Sequence, residues 1–167
     1  MDDNLVNLSL QALTYAINTT YQKDYSVIRR NMEQTTVARI FYYMQSVIDS
    51  DVQFECLKTF NLDLEYNKDG EHKKRSPRTP GGMRPDLLLH IREHNNGNLL
   101  CVEFKMQGAN LERCALYDNK PKDWIKLEDL TAQDIYGYKI GVFVMLNHDR
   151  PEYTFFKNGE QYYEQDI

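Results

Sequence analysis

The chain has 167 residues, a mass of 19.8 kDa and a formal charge of −5, with 41% apolar and 27% charged residues. That length suits one domain over residues 1–167, burying roughly 68–70% of its unfolded surface, and the aromatic and aliphatic content excludes an intrinsically disordered chain. No apolar run approaches the roughly 18–20 residues that cross a bilayer, and Met1-Asp2-Asp3-Asn4 lacks a basic secretory head, so a cytoplasmic protein without a membrane partner is expected.

Three cysteines, Cys56, Cys101 and Cys114, show no C-x-x-C spacing and suggest neither a disulfide framework nor a thiolate zinc site. His72, His90, His94 and His148 form no H-x-x-x-H pair, so a bound metal would rest on oxygen ligands. An isoelectric point near 5.4 argues against a general polyanion-binding surface, and local charge has to be read separately.

In chain order, Leu5, Leu8, Leu10, Leu13, Ala16 and Ile17 recur at three- and four-residue steps and predict a helix over 3–20, ended by Asn18-Thr19-Thr20. From about residue 29 to 49, the stripe Val37, Ile40, Phe41, Met44, Val47 and Ile48 predicts a second helix. One turn back along that stripe lies Glu33. An acid on a buried face needs a partner or a metal, whereas an acid in a first turn also simply complements the helix dipole. A strand is expected over 62–66, with Asp63 and Glu65 as solvated edge residues.

Residues 67–83 then form a basic loop. Between Lys68 and Arg84 stand six cations, with Asp69 and Glu71 the only acids, a local +4 that leaves −9 on the remainder. Ser76-Pro77-Arg78-Thr79-Pro80-Gly81-Gly82 denies both helix and ladder, which predicts a mobile segment, either a solvated connector or a phosphate-contacting surface. Residues 86–92 and 99–106 follow as two strands joined through His94-Asn95-Asn96-Gly97-Asn98, a hairpin. A helix is expected over 121–136, with Trp124, Leu127 and Leu130 as its core stripe and Lys126 as an exposed lysine or a phosphate contact. A strand over 138–146 and a weak pair, 153–156 and 161–163 around Asn158-Gly159, complete the chain. The pattern is α/β: a mixed central β-sheet flanked by helices.

The chemistry concentrates in Leu99-Leu100-Cys101-Val102-Glu103-Phe104-Lys105. Alternation puts Glu103 and Lys105 on one face, and pairing through the 93–98 turn brings Asp86, fixed after Pro85, near both. Two carboxylates and a lysine suit metal-assisted phosphodiester hydrolysis: the acids hold a hard cation, and the ammonium orients water or offsets developing charge. The same residues also allow a plain cross-strand ion pair with a strand-start acid beside it. Cys101 shares the face of Glu103 and reads as a packing residue.

Pro85-Asp86 and Glu103-Phe104-Lys105, on a hairpin preceded by a helix bearing Glu33, resemble the PD and E-x-K elements of the PD-(D/E)XK nuclease superfamily, the restriction-endonuclease-like fold. Leu64-Glu65-Tyr66-Asn67, Arg84 beside Pro85-Asp86, and Asp123-Trp124-Ile125-Lys126-Leu127 add a likeness to small stand-alone bacterial proteins of that fold, and the whole covers about residues 33–146. The resemblance implies that Asp86 and Glu103 bind Mg²⁺ or Mn²⁺, that Lys105 is the catalytic lysine and that Glu33 assists. It also implies a nucleic-acid substrate, DNA or RNA with DNA ranked first, and commonly a homodimer. Lys73, Lys74, Arg75, Arg78, Arg84 and Lys126 are then the candidate phosphate contacts. The alternative is the same fold kept as a catalytically inactive nucleic-acid-binding or assembly module.

Overall fold

The computed structural model describes residues 2–93 and 95–162. Its centre is a six-stranded mixed sheet of β1 (Asn61–Leu64), β2 (Leu87–His90), β3 (Leu100–Met106), β4 (Ile140–Leu146), β5 (Pro151–Lys157) and β6 (Glu160–Tyr162), in that spatial order. Helices α1 (Asp2–Lys23), α2 (Tyr25–Arg29) and α3 (Glu33–Ser50) precede the sheet, and α4 (Lys122–Thr131) lies between β3 and β4. Neighbouring strands are antiparallel except β3 and β4, which run parallel from Leu100↔Ile140 to Met106↔Leu146. Parallel neighbours require a long crossover, and α4 is part of it.

Three layers result. Strands β2, β3 and β4 are almost wholly buried, which explains their near-continuous apolar sequences. Leu87, Leu89, Leu100, Val102, Phe104 and Val142 join a core with Leu13, Ile17, Ile40 and Met44 of α1 and α3. The opposite parity, Leu88, Cys101 and Phe143, packs with Leu127 and Leu130 of α4. Each fully buried side chain of this size stabilises the fold by about 1.5–3 kcal/mol. A Cβ on Gly141 would meet Thr131 Cγ2 at 3.0 Å and Phe156 Cβ at 3.3 Å, so the bare glycine sets how closely α4 lies on β4.

The elements depart from expectation where polar groups decide. Helix α1 runs past Asn18-Thr19-Thr20 to Lys23, because the Thr19 and Thr20 hydroxyls bond back to the Tyr15 and Ala16 carbonyls instead of capping. The second helix does not begin at residue 29: the chain turns at Asn31 (φ 53°), and α3 starts at Glu33. Helix α4 stops at Thr131 rather than 136, since Ala132 is extended at φ −62°, ψ 129°. Asn158 and Gly159 take φ 55° and 84°, the two positive values of a type I′ turn, and join β5 to β6 as the sequence suggested. His94 and Tyr163, assigned to the hairpin turn and the last strand, lie outside the described residues. Among the described residues no helix is long and apolar enough to cross a membrane.

The basic segment is not the free loop its composition implies. Lys68–Asp69 and His72–Lys73 form a small antiparallel ladder. Lys74, Ser76 and Met83 are buried, and the Tyr136 hydroxyl accepts from the Arg75 N–H at 2.7 Å. Asp63 also differs from a solvated edge acid. Its side chain is 13% exposed, meets His90 Nε2 at 3.0 Å and pairs with Arg92. Glu65, just past β1, pairs with Arg84 at 3.7 Å.

Candidate active site

The hairpin register places the acids. Leu87 pairs with Val102, so the preceding residue, Asp86, is carried alongside Glu103. Parity then puts Asp86, Glu103 and Lys105 on the side of the sheet that α4 covers. The Phe104 N–H donates to Asp86 Oδ2 at 2.7 Å, which ties the segment entering β2 to β3 and fixes the carboxylate.

Glu103 is 1% exposed. Its Oε1 lies 2.8 Å from Lys126 Nζ of α4, yet the approach is not aligned as a hydrogen bond, and among the described residues this buried oxygen has no hydrogen-bond partner. Lys126 Nζ donates instead to Asp123 Oδ1, one turn back on the same helix, at 3.2 Å. The other oxygen of Asp123 stands 3.6 Å from Lys105 Nζ, and Glu33 Oε1 stands 3.6 Å from that ammonium on the far side. An alternating run of charges, Glu33, Lys105, Asp123, Lys126, Glu103, thus joins α3, β3 and α4, with Asp86 beside its end.

Electrostatics follow from this packing. Burial pushes the Asp86 carboxyl above the usual range, the Glu33 charge adding to it and the Phe104 N–H and both ammoniums opposing. Burial pushes Glu103 well up, with Asp86 and Asp123 adding to the effect and Lys126 opposing it. Burial alone would pull the two lysines down, but the surrounding carboxylates outweigh it and hold both above the ordinary lysine value. Four carboxylates face two ammoniums, a formal excess of two negative charges.

A buried carboxylate beside a second carboxylate that repels it is a donor set suited to a hard divalent cation. Among the described residues no group of three or more His, Cys, Asp or Glu side chains is placed to hold a metal. A cation at this site would have Asp86 and Glu103 as protein ligands and water oxygens for the rest, the common manner of holding Mg²⁺. A cleft of about 470 Å³ lined by Glu33, Gln34, Glu65, Arg84 and Asp86 reaches the site from the α3 side.

The structure thus brings together Glu33, Asp86, Glu103, Lys105 and Lys126. Of the other expected phosphate contacts, Lys73, Arg75 and Arg84 are exposed. Lys74 and Arg78 correct the expectation. Lys74 is 2% exposed, donates to the Lys68 carbonyl and sits 5.4 and 5.2 Å from the Tyr66 and Tyr136 ring centres. Arg78 is spent on α4, pairing with Asp129 and with Glu128 at 2.8 Å, while Ser76 also bonds Asp129. Two buried acids on a helix need such partners, and Glu128-Asp129 within the apolar stretch of α4 was the available signal. Lys126 is not the solvated helix lysine its position suggested, and Asp123 was not anticipated; their i, i+3 spacing, which puts them on one helix face, was the clue.

Comparison with protein-family models and with curated proteins gives no match, so the reading of this site rests on its own geometry.

Proposed function

We propose that this chain is a divalent-metal-dependent nuclease of the PD-(D/E)XK kind, hydrolysing phosphodiester bonds in nucleic acid. The observation that carries the reading is the convergence of Asp86, Glu103 and Lys105 on one face of a hairpin, with an orphaned Glu103 oxygen buried among them. A cation held by Asp86 and Glu103 would supply Lewis acidity towards a phosphoryl oxygen and towards bound water.

The chain's own residues divide the remaining tasks. The Phe104 N–H orients Asp86. Glu33 and Asp123 hold Lys105 from two sides at 3.6 Å and keep its ammonium protonated through neutral pH. Lys105 would supply a positive charge to stabilise the developing phosphorane oxygens. Arg84, 62% exposed at the cleft, would position the phosphate backbone. Unpaired Cys56, Cys101 and Cys114 suit a reducing compartment, the cytoplasm.

Inward-turned Lys74 and Arg78 favour a second reading, a weak nucleic-acid-binding module without catalysis, because they remove two cations from the surface. Incubating the protein with single- and double-stranded DNA and RNA in Mg²⁺ or Mn²⁺, beside Asp86→Ala and Lys105→Ala, separates the two. Metal-dependent cleavage lost in both variants is expected. Equal traces from all three proteins would come from a contaminant and would end the nuclease reading.

A further inference from the structure

We propose that Lys126 and the divalent ion compete for the same oxygen, Glu103 Oε1, and that Asp123 is the acceptor onto which the ammonium withdraws when the ion binds. The inference rests on the reading of Asp86 and Glu103 as the ion's ligands.

Three observations carry it. Glu103 is 1% exposed, and a carboxylate so buried requires a compensating positive charge. The Lys126 ammonium supplies that charge at 2.8 Å, and it is the polar group of α4 that meets this oxygen, where an ion bound to Glu103 would have to sit. The aligned bond of the same ammonium goes to Asp123 Oδ1 at 3.2 Å, one helical turn away. Withdrawal from Glu103 therefore needs only rotation within a flexible four-carbon stem, not movement of α4. Asp123 also meets Lys105 at 3.6 Å, so a single carboxylate holds both ammoniums. In this arrangement Lys126 is a positioning residue that sets a positive charge against the buried Glu103, holds it in place and yields it to an ion of higher charge.

Calorimetric titration of Mn²⁺ into the wild type, Lys126→Met, Lys105→Met and Asp86→Ala tests this near neutral pH, with thermal melting to check that each protein is folded. Lys126→Met is expected to bind about tenfold or more tightly than wild type, and Lys105→Met, which removes an equal charge not in contact with Glu103, to change affinity by only about threefold. Lys126→Gln carries the same expectation should the Met variant fail to fold. Mn²⁺ uptake by Lys126→Met alone would support the competition strongly. Unchanged or weaker binding in the Lys126 variants, or an equal gain in Lys105→Met, overturns it while leaving the metal site standing. No saturable uptake by the wild type or either lysine variant overturns both.

Discussion

Lys105 is enclosed by acids from two helices, and its role is decided by that enclosure. On the proposed function, replacing it with methionine removes the positive charge that Glu33 and Asp123 hold in place, and single-turnover cleavage should fall by about 10²–10³-fold. His90 gives a prediction of opposite character. It is buried, its Nε2 meets Asp63, and burial, with the nearby Lys74 and Arg92 charges, holds its pKa below 6.5 despite Asp63. Protonation therefore favours the unfolded chain: stability is full above about pH 6.5 and declines as pH falls below it, by at most about 1.4 kcal/mol per pH unit for one proton. Urea midpoints should drop on acidification in the wild type and stay level over the same window in His90→Gln. Asp86, Glu103 and Lys105 were legible because a tight hairpin register links them over a short span of chain. Asp123 and Lys126 were not, because the rotation of α4 about its axis is set by burying Leu127 and Leu130 against strands far away in sequence.

At the level of elements, α4 has two polar tasks, one in each half of the helix. Asp123 and Lys126 face the site, while Glu128 and Asp129 pin the basic segment through Arg78 and Ser76. Composition alone predicted a mobile loop there, since prolines and glycines forbid a ladder without saying whether side chains will anchor the segment. Asp129→Asn should release it. The stability loss should fall below the roughly 3–5 kcal/mol of a wholly buried pair, because Arg78 is 29% exposed, and trypsin should cut faster at Arg75 and Arg78. Gly141→Val tests the other contact of this helix. Crowding Thr131 and Phe156 should cost about 1–3 kcal/mol and lower Tm by about 2–4 °C for each kcal/mol lost. The central strands and α3 were readable from their apolar periods. The break at Asn31 was not, because a single residue in the left-handed region leaves no mark on that period.

Across the whole molecule, a charge of −5 would have to coexist with the proposed polyanionic substrate. The exposed cations Lys73, Arg75 and Arg84 are the counterweight, and the Lys68–Asp69 and His72–Lys73 ladder gives the segment carrying two of them a defined shape. If these three neutralise three phosphates, log K for an oligonucleotide should fall with log salt at a slope of about −2 to −3. The triple variant Lys73→Ala, Arg75→Ala, Arg84→Ala should flatten that slope nearly completely, as read by fluorescence anisotropy in Ca²⁺. Undiminished salt dependence would move the backbone contacts elsewhere.

Five charged side chains around Asp86 come from α3, β3 and α4, and Asp86 itself from the approach to β2. They are spread over residues 33–126, and no single helix or strand contains them all. Nascent or partly folded chain therefore presents only scattered acids and amines, and hydrolytic competence should return last during refolding, once both helical layers have docked on the sheet. On the proposed function, phosphodiester cleavage would therefore wait for the folded chain.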